Sequence, residues 1–331
     1  MATIPPQLIG ESQEFHALLD WVSDIATINK PILILGEAGT GKEQIASRLH
    51  FLSPRWEQSY HMINCAAHDA ETFEGIMYGN DNQDALFTRA HDGTLFLENI
   101  NALTPAAQER LLHVIEYSEF DAFDGLGEQS IDIRFIASIS ENPAQAVDHG
   151  QIRADFLNRI AFDVVNIPPL RLRKDDIAPL TLHYGRKMVS SLGAERFPGL
   201  TPEAMNILIA YDWPNNSREL KSVIERSVTR AYLADETLSG PISTIELNPL
   251  KSPWGNNIPT TTTVNTRNAP ENTEPQSAPT TDFTERVITF ERGLIDEALT
   301  THNHHQGKAA DYLGLTYHSF RGLLRKHGMK K

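Results

Sequence analysis

The chain has 331 residues, enough for about two domains of ordinary size and a connecting segment. Its 29 basic and 43 acidic side chains give a formal net charge of -14, which excludes a phosphate-binding surface over the whole chain. A single cysteine excludes an internal disulfide, and the sequence shows neither a secretory signal peptide nor an apolar run near the ~20 residues of a bilayer span. We therefore expect a soluble, cytoplasmic protein in which any contact with nucleic acid is local.

Strand-like and helical patterns alternate over the first half of the chain. The strand-like apolar runs occupy residues 31–35, 61–65, 94–98, 131–140 and 163–167, and helical patterns such as 44–52 and 105–117 lie between them. This alternation predicts an α/β domain with a parallel sheet covered by helices on both faces. From residue 175 to about residue 233 the pattern is helical throughout, which predicts a separate helical subdomain.

A glycine-rich loop follows the first predicted strand and opens a helix. Its sequence GEAGTGKE fits the pattern G-x-x-x-x-G-K, in which backbone N–H groups turn toward phosphate oxygens and a lysine pairs with the β- and γ-phosphates. A glycine-rich turn that binds nothing would not need this order of strand, loop and helix. We predict that ATP or ADP, together with Mg²⁺, binds at Gly36, Glu37, Gly39, Thr40, Gly41, Lys42 and Glu43. Glu43 stands where such loops usually carry a Ser or Thr that binds magnesium.

The third strand-like run ends in Glu98 and Asn99, where nucleotide hydrolases of this kind carry an acidic pair. Glu98 can still hold Mg²⁺, although its extra methylene displaces the carboxylate by about one bond length. Asn99 cannot take a proton from an attacking water, and losing a general base typically costs ~10²- to 10⁴-fold in rate. The sequence therefore predicts nucleotide binding with weak or no hydrolysis.

The composition changes abruptly at residues 251–282, which contain five prolines and eight threonines and almost no aliphatic side chains. Such a segment cannot bury enough apolar area to offset its chain entropy, so we interpret it as a flexible linker. We place the α/β nucleotide-binding subdomain at residues 1–170, the helical subdomain at 171–250 and a DNA-binding domain at 283–331.

The tail has the opposite charge to the rest of the chain. Residues 302–331 carry six Lys or Arg side chains and one acidic residue, which leaves the first 301 residues with a net charge of -19. One interpretation of a basic tail is a solvated segment that only increases solubility. The apolar pattern of this tail, however, predicts a helix, a turn at Gly314 and a second helix, with an upstream helix over 283–299 that completes a three-helix unit.

The second tail helix presents side chains of the types that reach base edges and phosphates in a major groove. We predict that DNA is contacted by Thr316, Tyr317, His318, Arg321, Arg325 and Lys326. Three histidines precede the first tail helix, and we interpret them as flanking DNA rather than binding a metal ion: His302, His304 and His305.

Six motifs of the front domain occur in the order typical of bacterial enhancer-binding AAA+ proteins, the sigma-54 activators. They are GEAGTGKE (36–43), NCAA (64–67), GTLFL (93–97), RADFLNR (153–159), PPLRLR (168–173) and WPNNSREL (213–220). The tail resembles the Fis-type DNA-binding domain of the same family, and both ends resemble most the branch that activates the phage-shock operon. The resemblance implies an α/β AAA+ P-loop domain with a helical lid, followed by an all-α Fis-type helix-turn-helix domain.

The resemblance also implies roles for residues outside the phosphate loop. It places nucleotide between subunits of a ring, with self-association from dimer to hexamer. It assigns Ile9 and Gly10 to the adenine, Arg218 to a nucleotide-sensing position in the lid, and Arg153 and Arg159 to the γ-phosphate of a neighbouring subunit. An ordinary surface ion pair is the alternative for either of the last two arginines taken alone.

The resemblance implies several partners as well. They are an upstream DNA operator or enhancer site, RNA polymerase, a PspA-like inhibitor and a paralogous AAA+ subunit. Trp56 stands where the phage-shock branch docks its inhibitor, although a lone tryptophan is more often partly buried core.

The chain departs from the family at three places around hydrolysis and output. The segment after Gly79 is too short to contain the GAFTGA insertion that contacts sigma-54. The acidic pair of the family is Glu98-Asn99 here, so Asn64, which restrains a catalytic glutamate in the family, has no such carboxylate to restrain. The asparagine that ends the next strand in the family is replaced by Ser140.

These departures predict a DNA-binding transcription regulator that binds ATP or ADP, hydrolyses it weakly or not at all and lacks the usual sigma-54 contact. One alternative is an ATP-hydrolysing sigma-54-dependent activator in which another acid, Glu43 or Glu141, positions water. A second is a repressor or a modulatory subunit in rings of a paralogue. A third is a regulator that binds a signalling cyclic dinucleotide near the phosphate loop, although no residue of the sequence identifies this ligand.

Overall fold

A computed structural model of the protein describes residues 8–80, 84–121, 127–249, 291–292, 294–296, 298–302 and 305–327. The predicted linker, residues 81–83 after α3 and the first part of the predicted tail helix lie outside the described residues. The chain divides into two units, Met1–Asn256 and Asn257–Lys331, and each is treated by itself below. Within the described ranges, no helix is both long enough and apolar enough to cross a membrane.

The front unit is built on a parallel sheet whose strands coincide with the predicted apolar runs. The strands are β1 (Ile32–Leu35), β2 (Tyr60–Asn64), β3 (Thr94–Glu98), β4 (Glu119–Asp121), β5 (Glu128–Ser130), β6 (Arg134–Ile139) and β7 (Asp163–Asn166). Five of them form the sheet in the order β2-β3-β6-β1-β7, and every neighbouring pair is parallel. The remaining two, β4 and β5, form an antiparallel hairpin that the sequence patterns did not predict.

Helices cover both faces of this sheet because its strands are apolar on both faces. The helices of the α/β part are α1 (Gln13–Ala26), α2 (Lys42–Phe51), α3 (Ala70–Tyr78), α4 (Leu86–Arg89), α5 (Pro105–Tyr117), α6 (Pro143–Asp148) and α7 (Ala154–Ile160). Phe96 of β3 packs with α1 and α2 on one face, while Leu95 and Leu97 pack with α3 to α7 on the other. This alternation is the two-residue period of a strand. The predicted α/β fold class is thus confirmed.

A helical lid follows the sheet, as the long helical pattern predicted. It consists of α8 (Ile177–Leu192), α9 (Pro202–Ala210) and α10 (Asn216–Ala234). Thr201 caps α9 by accepting a hydrogen bond from the N–H of Ala204, and Pro202 occupies the first turn, where its missing N–H costs nothing. Trp213 is fully buried in the lid core and donates from its indole nitrogen to the carbonyl of Leu208 at 2.8 Å. This bond fixes the turn between α9 and α10.

A buried carboxylate joins the start of α1 to the lid. Asp176 is fully buried and accepts from the backbone N–H groups of Glu11 and Ser12, each at 2.7 Å, and from the Ser12 hydroxyl at 3.1 Å. The buried guanidinium of Arg173 lies 3.4 Å from the same carboxylate and donates to the carbonyl of Thr40 at 3.2 Å. Burial lowers the pKa of Arg173, and the Asp176 charge opposes that shift. One ion pair therefore fastens the N-terminal segment, the phosphate loop and the lid together.

The tail unit is a small helical cluster with the apolar faces that the sequence predicted. Its helices are α11 (Gln306–Tyr312) and α12 (Tyr317–Lys326), and the described residues between 291 and 301 are helical as well. The buried core consists of Ile295, Ala298, Leu299, Ala309, Ala310, Phe320 and Leu324. Gly314, with φ 65°, makes the turn between α11 and α12 in the left-handed region. The predicted Fis-type helix-turn-helix fold is confirmed.

We predict that Asp176→Asn lowers the free energy of unfolding of the front unit by about 3 kcal/mol, because it leaves the buried guanidinium of Arg173 without its counter-charge. Urea unfolding followed by tryptophan fluorescence measures this change. Asp175→Asn is the matched control, since Asp175 is exposed, and it should shift the free energy by no more than about 0.5 kcal/mol. Equal losses in the two variants would contradict the role given to Asp176.

Candidate functional site

The phosphate loop lies at the carboxyl edge of the sheet, between β1 and α2. Gly39 and Gly41 have φ angles of 77° and 104°, values that residues with a Cβ rarely adopt. Gly41 is also the N-cap residue of α2, so the free N–H groups of the first turn point out of the loop. The loop thus has the backbone shape and the helix dipole that hold a phosphate chain.

Lys42 is the cation of this loop, and its side chain is buried. Its ammonium donates to the carbonyls of Gly36 at 2.8 Å and Glu37 at 3.2 Å, and to the hydroxyl of Ser140 at 2.8 Å. Burial lowers the pKa of Lys42, and the nearby Arg218 adds to the effect while Glu98 opposes it. All three ammonium N–H groups of Lys42 therefore donate to oxygen atoms. The phosphate oxygens of a bound nucleotide could take the place of these acceptors.

The lid closes directly onto the phosphate loop. Ser217, in the first turn of α10, donates to the carbonyl of Gly39 from its backbone N–H at 3.1 Å and from its hydroxyl at 2.5 Å. A Cβ on Gly39 would collide with the carbonyl oxygen of Asn215 and would lie 2.9 Å from the Cβ of Arg218. Glycine is therefore required at position 39 both for its φ angle and for this close approach.

A charged group reinforces the same contact. Glu37 of the loop accepts two hydrogen bonds from the guanidinium of Arg171, at 2.6 and 2.8 Å, and one from the side-chain amide of Asn216 at 3.1 Å. The hydrogen bond from Arg171 is the main cause of the lowered pKa of Glu37. Asn216 also donates to the carbonyl of Ala38 at 3.0 Å, so the lid holds the loop at three consecutive residues.

A cavity of about 210 Å³ opens beside the loop and the lid. Its lining includes Ile9, Phe15, Gly41, Ile45, Arg173 and Tyr184. Apolar and aromatic side chains next to a phosphate loop fit a purine base. Ile9 lines this cavity, whereas Gly10 packs against Phe15 and Asp176, and a Cβ there would collide with the Phe15 ring. The assignment of Ile9 and Gly10 to the adenine stays a prediction.

The edge of the sheet beside the loop carries amides in place of the expected acid. Asn64 and Glu98 are paired in register at the ends of β2 and β3. Asn99 follows with φ 57°, a left-handed conformation that asparagine tolerates better than most residues, and its amide donates to Asn64 Oδ1 at 3.2 Å. The same oxygen accepts from the N–H of Ala66 at 3.0 Å. This amide pair is fixed in place and contains no group that can accept a proton from water.

The two arginines assigned to a neighbouring subunit lie on or next to α7. Arg153 is held on its own surface by Asp155 at 2.7 Å and Glu109 at 3.2 Å, and these acids raise its pKa. Arg159 is exposed and lines a surface cavity with Lys30 and Phe162. Within the described part of the chain, no hydrogen bond or ion pair joins either arginine to the phosphate loop, and their assignment to a neighbour stays a prediction.

The predicted DNA-contacting residues differ in how free they are. Arg321 and Arg325 are exposed and form no hydrogen bond or ion pair with other described residues. Lys326 instead pairs with Glu291 at 2.7 Å, and the hydroxyl of Thr316 caps α12 by accepting from the N–H of Ser319 at 3.2 Å. Tyr317 is 45% exposed, and the side chain of His318 lies outside the described residues, as does His304. His302 makes an edge-to-face ring contact with Tyr312, and His305 accepts from the N–H of Lys308.

A P-loop on a parallel sheet, a helical lid closed onto it and a small helix-turn-helix unit define an AAA+ nucleotide-binding protein fused to a DNA-binding domain. Comparisons with known families agree with this class. The sigma-54 interaction domain matches residues 8–167, the AAA+ ATPase lid domain matches residues 171–239, and the Fis family of bacterial regulatory proteins matches residues 288–327.

Individual relatives place the chain more closely. It is 37% identical to the Psp operon transcriptional activator of Escherichia coli strain K12, over 99% of both chains. It is 33% identical to the transcriptional regulatory protein ZraR of Klebsiella oxytoca, over 70% of this chain and 55% of that protein. The chain therefore belongs to the family of sigma-54-dependent transcriptional activators with a Fis-type DNA-binding domain.

Solved structures support the fold alone. NtrX from Brucella abortus in complex with ADP superposes with a TM-score of 0.73 at 22% identity, over 97% of this chain and 69% of that one. NtrX in complex with ATP gives the same score over 98% of this chain.

Several residues that shape the site were not predicted. The phosphate loop is bonded directly by Arg171, Asn216 and Ser217. Arg173, which pairs with Asp176, donates to the carbonyl of Thr40 in the same loop. Both arginines belong to the motif PPLRLR, and Asn216 and Ser217 belong to WPNNSREL. Neither motif predicts what these side chains contact.

Because the folded state lowers the pKa of Glu37, its ionised form stabilises the fold above the ordinary pKa of a glutamate, and this contribution disappears as the pH falls through the lowered pKa. The pair is well exposed to solvent, which limits the effect to about 1 kcal/mol or less. Between about pH 6 and pH 3, Glu37→Gln should therefore lose less stability than the unmodified protein. Urea unfolding across this range tests the difference. A Glu37→Gln curve with the same pH dependence as that of the unmodified protein would exclude this contribution.

Proposed function

We propose that the protein is a DNA-binding transcription regulator that binds ATP or ADP with Mg²⁺ as a conformational and assembly ligand, hydrolyses ATP weakly and does not use the family's loop to contact sigma-54. The observation that carries the proposal is the amide pair of Asn99 and Asn64 at the position of the water-activating acid. Without a carboxylate there, the attacking water keeps its proton.

Several contacts support nucleotide binding. The loop N–H groups and Lys42 face the phosphate position, the cavity with Ile9 suits the base, and Arg218 lies close enough to Lys42 to lower its pKa. Glu98, whose charge acts on Lys42, is the acid that would hold Mg²⁺ beside the loop. The bound nucleotide would supply negative charge that takes over the hydrogen bonds of Lys42.

The length of the chain between α3 and α4 supports the proposed lack of the family's sigma-54 contact. The family's GAFTGA insertion would stand between α3 and α4, and α3 ends at Tyr78 while α4 begins at Leu86. Gly79, with φ 88°, ends α3 in a conformation that favours glycine. The guanidinium of Arg110 packs against α3, where it lies 3.7 Å from the centre of the Tyr78 ring and 2.8 Å from Glu74.

Restoring the acid should restore turnover. We expect Asn99→Glu to raise the steady-state ATP hydrolysis rate by ~10²-fold or more, because it replaces an amide with a base. The left-handed backbone at this position costs a glutamate about 1 kcal/mol, so the variant should still fold. The measurement is phosphate release by purified protein with magnesium-ATP.

Asn101→Glu is the matched control, since it adds a carboxylate two positions further on, and it should leave the rate low. Asn99→Glu should still fail to activate transcription in vitro at a sigma-54 promoter, because the loop is missing. Turnover by the unmodified protein at the rate of an active family member would refute the hydrolysis proposal. Activation at that promoter by the unmodified protein would refute the proposal on output.

The DNA interface has its own test. Arg321→Ala should weaken binding to an operator selected from random DNA by ~1 to 3 kcal/mol, with a smaller loss on unselected DNA, because an arginine that reads a base carries specificity. Lys326→Ala is the control, since its ammonium is already paired with Glu291. Electrophoretic mobility shifts with both DNAs measure the two losses. Equal losses on selected and unselected DNA would show that Arg321 contacts only phosphate.

A further inference from the structure

Gly322 lies in the middle of α12, the second helix of the helix-turn-helix unit. Its backbone is helical, so the position does not need a glycine for a positive φ angle, unlike Gly314 in the turn before the helix. A glycine inside a helix lowers its stability relative to an alanine, because glycine loses more backbone freedom on folding. Gly322 therefore destabilises the helix in which it lies.

Packing inside the protein does not require a glycine at this position. A Cβ built on Gly322 would meet no atom of the described residues within 4 Å. Gly185, in the middle of α8, is different, because a Cβ there would lie 2.6 Å from the ring of Phe197. The fold thus explains the missing side chain of Gly185, whereas it does not explain that of Gly322.

Gly322 faces directly away from the core of the tail unit. Phe320 and Leu324 are buried in that core, and each lies two positions from Gly322, which is about 200° of rotation around the helix. Arg321 and Arg325 flank it on the exposed side, and neither forms a hydrogen bond or an ion pair with other described residues. The outer face of α12 therefore carries two guanidinium groups beside a stretch of bare backbone.

We propose that Gly322 is a specificity-determining position, at which the backbone of α12 lies against the base edges of the DNA major groove. The inference rests on the proposed DNA-binding function. A helix with its side chains is about 10 to 12 Å across and the major groove is about 12 Å wide, so a side chain that points straight into the groove limits how deeply the helix enters. Without a side chain at position 322, the guanidinium groups of Arg321 and Arg325 reach base edges and read guanine.

The test measures how the full chain binds two DNAs, an operator selected from random DNA by the unmodified protein and an unselected DNA. Gly322→Leu should weaken operator binding about tenfold or more and Gly322→Ala about threefold or more, because a longer side chain holds the helix further from the base edges. Binding to unselected DNA should change by less than about twofold, since contacts with phosphates supply it. Electrophoretic mobility shifts measure these affinities.

Hydrogen exchange of the α12 amides in the free protein shows whether each variant is folded. Both substitutions at Gly322 should slow this exchange about two- to fivefold, because alanine and leucine favour a helix more than glycine does. A variant with a more stable helix and weaker operator binding cannot owe its weaker binding to a damaged fold. Gly307→Ala is the matched control, since it replaces a glycine of α11 where a Cβ would make only an ordinary contact, 3.4 Å from the His305 ring. It should leave binding to both DNAs unchanged.

The outcomes separate this inference from the function on which it rests. If the unmodified protein selects no operator, the proposed DNA-binding function fails and the inference fails with it. If it selects one and Gly322→Leu binds that operator equally well, only the inference is overturned. Equal losses on selected and unselected DNA, or an equal loss in Gly307→Ala, would also overturn it. Faster exchange of α12 in both Gly322 variants would do the same, because the fold itself would then require the glycine.

Discussion

The nucleotide site depends on the absence of a side chain at Gly39. The lid helix α10 approaches the phosphate loop so closely that a Cβ at this position would overlap the carbonyl of Asn215. The approach lets Ser217 donate twice to the Gly39 carbonyl and brings Arg218 next to Lys42. Backbone N–H groups of the loop are thereby left for phosphate, because the lid uses only the carbonyl side. The same close approach also forms the cavity beside the phosphate loop, because side chains of the loop and of the lid both line it.

The sequence predicted the sheet well because strand signals were strong and local. Buried parallel strands are continuous apolar runs, and each run in the front domain became a strand within about three residues of its predicted bounds. The hairpin of β4 and β5 was missed because its strands are three residues long and mostly polar. Arg134 was also hidden inside an apolar run. Its buried guanidinium donates to the carbonyls of Ala26 at 2.7 Å and Leu49 at 3.1 Å, and it thereby joins α1 to α2.

The site was predicted less completely, since its contacts join distant parts of the chain. The motif identified Lys42 and the glycines because a phosphate loop is a continuous segment. Glu37, by contrast, meets Arg171 134 positions away and Asn216 179 positions away, and no spacing rule connects them. Lys326 makes a similar long-range contact at the surface, where the helical segment before α11 supplies Glu291, whose carboxylate pairs with its ammonium. Local patterns thus locate a site, while tertiary packing decides which of its groups are free.

Binding and hydrolysis of a nucleotide depend on different side chains at this edge of the sheet. In the function proposed above, the loop backbone, Lys42 and Arg218 attract phosphate, and none of these requires an acid at position 99. Proton removal from water requires that acid alone. An asparagine there also relieves the left-handed backbone, since its short amide suits φ 57° and bonds to Asn64. Under the proposed function, exchange of the acid for an amide removes one step of the reaction, while it preserves the fold and the groups that would hold the phosphates.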